Sequence, residues 1–331
     1  MVFGTPISWL LVEIFSIILF FVCLNHASKQ ENSIFYILEL FGFVLGAGLF
    51  ENVGVNISNT YYYDTRRIMM IGSVPLEILF IEAATWYAAI NLALKLNFPK
   101  WAIPFVVGLL GSVQDMTVDP AAVFDTYAIT DQAIADAVNT SHPGALGNGI
   151  QSGQWNWTNP GYDGGFFGIP VFNFSGWMYL MAFYTIFVLI GRWFYQKYNY
   201  AAIGFLYPFV AGVMNVVCLG TPLNRLLLFG NLDPTQSTII SETIMLCLNY
   251  GFAIALLIIF RKRASKINLK QDGYILFLLP IAMHLYDIVY AFVQQVEIAY
   301  IPVILISSIH FAYLFIVYQN NKRIDNTILF T

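Results

Sequence analysis

Asp115 and Asp119 stand four residues apart in the run Q-D-M-T-V-D-P, a spacing that puts both carboxyls on one face of a helix. Two carboxyls in different surroundings can divide into a proton donor and a water-activating base. Glu77 and Glu82 lie in the preceding apolar run and Glu39 in the one before it. Ionisable groups within such runs are costly and are therefore candidate site residues. Asn173 and Trp177 open the next apolar run, and Trp155 and Trp157 stand just upstream as W-N-W. Aromatic faces beside an acid can stabilise a developing carbocation. The competing structural roles are helix capping for the aspartates, an ordinary Asp-Pro turn at Asp119, and interfacial anchoring for the tryptophans.

The elements that must position these groups are membrane helices. Of 331 residues 58% are hydrophobic and only 10% charged, and the mean hydropathy is +0.68, outside the range of soluble domains. The apolar runs are continuous rather than alternating, so the expected fold is all-α, a polytopic transmembrane helical bundle forming one membrane domain over 1–331. Net charge of −4 says little about partners, and no nucleic-acid partner is expected. The three cysteines fall in apolar runs, which argues against a disulfide framework.

Runs of spanning length lie near 7–24, 33–50, 68–94, 101–118, 173–191, 200–219, 239–260, 273–294 and 298–319. This gives about nine spans, with eight as the alternative. The positive-inside rule puts the C-terminus in the cytoplasm, because 12 of the 15 basic residues then face inward and only Arg66, Arg67 and Arg225 face out. The N-terminus and the long 119–172 loop, a cap over the candidate site, then lie on the non-cytoplasmic side. Within that loop D-Q-A-I-A-D-A-V reads as a short helix broken by S-H-P-G-A-L-G-N-G. On this topology Asp115, Asp119, Glu77, Glu82, Asn173 and Trp177 converge near the outer surface.

His284, Asp287 and His310 form a second constellation. Two histidines and a carboxylate on neighbouring helices can make a metal site, although a hydrogen-bonded polar pair needs fewer coincidences and is the preferred reading. No phosphate-binding loop, dinucleotide fingerprint, H-E-x-x-H, C-x-x-C or G-x-S-x-G occurs. No cofactor is expected.

E-L-F-G-F-V-L-G at Glu39–Gly46, V-P-L-E at Val74–Glu77, Trp86, D-M-T-V-D-P at Asp115–Pro120, W-x-W, and F-F-G-I-P-V-F-N-F-S-G-W at Phe166–Trp177 together resemble the integral-membrane carotenoid biosynthesis family. Its characterised members include hydratases acting on terminal ψ-ends. The similarity covers roughly Glu39 to Trp177 and lapses in the insertion between Pro120 and Trp155. The resemblance implies metal-independent hydration of a carotenoid or other isoprenoid alkene held in the membrane lipids. Asp115 and Asp119 would be the acid/base pair, with Glu77 and Glu39 as rival donors. Asn173 would orient water, and Trp155, Trp157, Trp177 and Trp86 would surround the substrate. A cyclase or isomerase starting from the same protonation is the alternative enzyme. A transporter or lipid-binding protein is the alternative of another class, for which acids through both leaflets and inverted repeats would be expected.

Overall fold

A computed structural model describes residues 1–2, 4–58, 60–129, 151–157, 165–260 and 267–328, the last seven as backbone only. The expected short helix at 131–138, its break at 141–149, and the basic residues at 261–266 lie outside the described residues, as do the side chains of Lys322 and Arg323.

The helices are α1 (Ile7–Ala27), α2 (Ser33–Val53), α3 (Leu76–Lys95), α4 (Ile103–Phe124), α5 (Val171–Tyr198), α6 (Ala201–Leu219), α7 (Pro222–Phe229), α8 (Ile239–Phe260), α9 (Leu269–Val293) and α10 (Glu297–Ile328). Eight of them are long and apolar enough to cross a membrane: all but α4 and the short α7. The fourth expected span, 101–118, is longer than its apolar run, because α4 continues for 22 residues through Pro120 to Phe124. It is less apolar than its neighbours because Gln114, Asp115 and Asp119 occupy its second half, and it is shielded by α3, α5, α8, α9 and α10. A helix walled by other helices needs no lipid-facing surface of its own. The multi-pass all-α bundle is thus as the composition requires.

Successive long helices alternate in direction. Ser8 at the start of α1 bonds Asp125 just after α4, whereas His26 at its other end meets Asp272 in α9. Ile267, before α9, bonds Asn321 near the end of α10. The chain therefore starts at one end of the bundle and finishes α10 at the other.

Six short strands decorate the starting end, which we call the strand-bearing end: β1 (Tyr61–Tyr63), β2 (Met70–Ile71), β3 (Val74–Pro75), β4 (Tyr127–Ala128), β5 (Gln151–Ser152) and β6 (Trp155–Trp157). They pair antiparallel as β1 with β6, β2 with β3, and β4 with β5. In the first pair Tyr61 lies opposite Trp157 and Tyr63 opposite Trp155. Alternation along a strand turns these four rings to one face.

On the bundle's flank α2 and α6 cross backbone to backbone. A Cβ on Gly212 would lie 2.5 Å from the Gly42 carbonyl oxygen, and one on Gly46 would lie 2.8 Å from the Gly212 Cα. The G-F-V-L-G of α2 is a small-xxx-small contact of the kind that lets membrane helices approach closely. This contact fixes the ends of α2 and α6 beside each other at the strand-bearing end, where α2 loosens into a π-helical turn at Gly54–Ser58.

Candidate functional site

Four carboxyls from three helices meet below the β1–β6 ribbon. Asp115 and Asp119 come from α4, Glu51 from the last turn of α2, and Glu82 from the second turn of α3. They are 1%, 3%, 5% and 0% exposed. Among the described residues no cation forms an ion pair with any of them.

The four are held together by donors and by each other. The Asn173 amide of α5 donates 2.8 Å to Asp115 Oδ2 and 2.6 Å to Asp119 Oδ2. Trp155 lines the same cavity as Asp119. Both Tyr61 and Tyr63 donate to Glu51 Oε2, the latter at 2.7 Å. Among the described residues no N–H or O–H reaches either oxygen of Glu82, whose carboxyl neighbours that of Glu51. The Asp115 and Asp119 carboxyls are in the same relation.

Tyr61 and Tyr63 lie outside the spans. Burial first, and the adjacent Glu51 carboxyl second, hold both phenols well above their ordinary pKa. They therefore remain O–H donors to Glu51 through the whole neutral range.

Asp119 and Glu51 form part of the wall of a cavity of about 490 Å³, while Asp115 and Glu82 stand behind them. This volume is within the range of sites for small organic ligands. Asn173, Gly176, Trp177 and Leu180, on one face of α5, make a second wall, and Trp155, Trp157, Tyr61 and Tyr63 make the roof. The lining is mainly aromatic and aliphatic, with Phe50, Phe172 and Phe229 completing it. The mouth opens beside exposed Val53, Ser58, Gly220 and Arg225, between the end of α2 and the α6–α7 turn.

Asp115, Asp119, Asn173, Trp155, Trp157 and Trp177 are thus brought together. Three other candidates are not. Glu39 sits toward the opposite end of the bundle, where Arg192 holds it in a fork at 2.7 and 2.5 Å and Tyr207 donates to it. Glu77 lies 3.2 Å from Arg67, which also has Glu13 at 3.9 Å. Trp86 is buried in the core, its indole N–H bonded to Thr185 and its ring packed on Phe43 and Tyr184. Glu39 and Glu77 are each held by a guanidinium, apart from the four facing carboxyls. The helix does not stop at Asp119, so that residue is no turn aspartate.

His284, Asp287 and His310 are joined by hydrogen bonds, with His284 Nε2 2.8 Å from His310 Nδ1 and Thr117 between His284 and Asp287. Among the described residues no group of three His, Cys, Asp or Glu side chains is placed to hold a metal ion. The polar-pair reading of these residues matches their geometry.

Sequence reasoning missed Glu51 as a site residue, along with Tyr61 and Tyr63. The signals were an acid one residue past the apparent end of a span and a Y-Y-Y strand whose partner, W-N-W, lies far along the chain. No family model, curated protein or solved structure matches this chain.

Proposed function

We propose that this chain is a metal-independent membrane enzyme that protonates a terminal isoprenoid double bond of a carotenoid and lets water capture the cation, a hydratase. The observation that carries the reading is the group of four buried carboxyls, none paired with a cation among the described residues and two of them on the wall of an aromatic-roofed cavity.

The chemistry follows from the geometry. An alkene lying in the cavity meets Asp119 and Glu51, each backed by a second carboxyl that can share its proton. Transfer of that proton to the less substituted alkene carbon leaves a tertiary cation and a carboxylate. The faces of Trp155, Trp157 and Trp177 stabilise the cation, by about 2 kcal/mol for a desolvated contact. The carboxylate then accepts a proton from the water that attacks the cation, so the acid is regenerated and the net change is addition of one water. Asn173, donating to Asp115 and Asp119 together, keeps the pair in register.

The orientation that goes with this reading is the one the basic residues favour. With the C-terminus in the cytoplasm 12 of 15 basic residues face inward, and the strand-bearing end with its cavity faces outward. A long apolar substrate reaches the mouth from the bilayer, so no aqueous channel is required.

The test is conversion of an acyclic carotenoid by the purified chain in lipid, in water carrying heavy oxygen. Label in a product one water heavier supports hydration. A product of unchanged mass and no label assigns the same acids to a cyclase or isomerase, and no conversion at all removes the enzymatic reading.

A further inference from the structure

Glycine inside a helix destabilises it relative to alanine, because its backbone has more freedom to lose and it offers no side chain to pack. A membrane bundle keeps such a residue where something must approach the backbone closely. A Cβ on Gly108 of α4 would lie 2.5 Å from the Met178 carbonyl oxygen, and one on Gly191 of α5 or Gly204 of α6 would run into the Tyr207 or the Phe35 ring. Gly176, in the second turn of α5, is different. Among the described residues, nothing outside its own stretch of helix lies within 4 Å of a Cβ built there. Gly251 shares this openness, but it is exposed on the surface of α8. Gly176 lines the acidic cavity instead. The room it leaves is therefore room for the cavity's occupant.

The helix says where that room lies. Asn173, three residues earlier on the same face, donates 2.8 Å to Asp115 Oδ2 and 2.6 Å to Asp119 Oδ2. Three residues rise about 4.5 Å, and a Cβ tilts toward the helix N-terminus, so a Cβ on Gly176 would lean toward Asn173 and the acids it holds. Leu180, four residues on, continues the face, and Trp177 stands beside it. Ile81 and Val118, each next in the chain to a buried acid, add aliphatic surface to the same cavity. The gap is methyl-sized, flanked by apolar side chains and one helical turn from the asparagine that holds the acid pair.

We infer that Gly176 is a specificity-determining residue of this cavity, where one of the two methyl groups at a branched, isopropylidene-type chain end lies on the α5 backbone. The inference rests on the alkene reading for which end of the ligand enters, and it adds how that end is recognised. With the methyl seated at Gly176, the double bond lies between α5 and the wall that carries Asp119 and Glu51. A straight chain leaves the gap empty and forfeits the dispersion contacts of its lining. A side chain at 176 takes the methyl's place and unseats the branched end.

The test is equilibrium binding of tritiated farnesene, an isoprenoid hydrocarbon with one isopropylidene end, to the full-length chain in lipid nanodiscs, corrected for partition into empty nanodiscs. Two competitors, each lacking one of the two terminal methyls, complete the set. The wild type should bind farnesene saturably, and G176A should bind it about tenfold more weakly, the lower worth of one methyl-sized group in an apolar pocket. The melting temperature of G176A without ligand should be unchanged or raised. One of the two competitors should bind the wild type about tenfold more weakly than farnesene does, and G176A no more weakly than the wild type. Equal binding of farnesene by wild type and G176A, equal losses for all three hydrocarbons, an unfolded G176A, or no saturable binding by the wild type overturns the inference. Methyl-selective binding without hydrated product would count against the hydratase alone. Hydrated product from a chain whose G176A variant binds farnesene as well as the wild type would count against the methyl contact alone.

Discussion

Buried carboxyls in this bundle are neutralised in two opposite ways, by a guanidinium, as at Glu39, Asp64 and Glu77, or by facing one another. Toward the opposite end Glu39 is held by the Arg192 fork and by Tyr207. At the strand-bearing end Glu51, Glu82, Asp115 and Asp119 face one another, with tyrosine and asparagine as their donors. A guanidinium keeps its carboxylate ionised and useless as an acid, whereas a facing carboxyl keeps a proton at hand. Sharing a cavity wall with open space, the second arrangement is suited to chemistry and the first to holding helices together.

Substitution at each end should separate the two. D119N is expected to lower kcat for carotenoid conversion by about 10²- to 10⁴-fold, the usual worth of a positioned acid or base, while leaving the melting temperature in detergent unchanged or raised. D115N should act in the same direction and less strongly, because Asp115 stands behind the cavity wall. A fall in melting temperature in proportion to activity would make these acids structural.

The opposite pattern is expected at Glu39. E39Q leaves Arg192 without its charge partner and should cost about 3 kcal/mol, the lower end for a broken buried pair since the Arg192 side chain is 18% exposed. Activity per folded molecule should stay at the wild-type level. The double variant E39L/R192M should recover most of the stability.

A smaller effect is expected from the roof. W155F keeps an aromatic face over the cavity, so it should reduce kcat by less than about tenfold, with KM little changed. W157A, which removes a wall, should raise KM.

The smallest effect is alkaline. The folded-state pKa of Tyr61 and Tyr63 is raised, so their contribution to stability is complete below the unfolded value of about 10 and declines as pH rises past it. Chemical denaturation at rising pH should show this decline, and Y61F/Y63F should flatten it.

The bundle was legible in the sequence because continuous apolar runs admit few alternatives. Asp115 and Asp119 were legible because the i, i+4 spacing survives whatever surrounds the helix, and Asn173 and Trp177 because they share the same level one helix on. Glu51 was hidden because the apolar run of α2 ends one residue earlier, while the helix continues to Val53. Tyr61 and Tyr63 were hidden because their roles depend on pairing with Trp157 and Trp155, a contact between distant parts of the chain. That Glu39 and Glu77 each meet an arginine was not legible, because depth in a membrane can be counted along a helix, while the identity of a neutralising partner cannot. Arg192, near the far end of the 28-residue α5, reaches Glu39 only once α2 and α5 are packed.

The central claim, that the acids at the strand-bearing end deliver a proton to an isoprenoid alkene, is tested most directly by extracting pigment from a host that makes lycopene and expresses either the wild type or D119N at equal folded level. The account predicts a new pigment heavier by one water with the wild type and almost none with D119N. Equal conversion by the two chains, or lycopene left unaltered by the wild type, would contradict it.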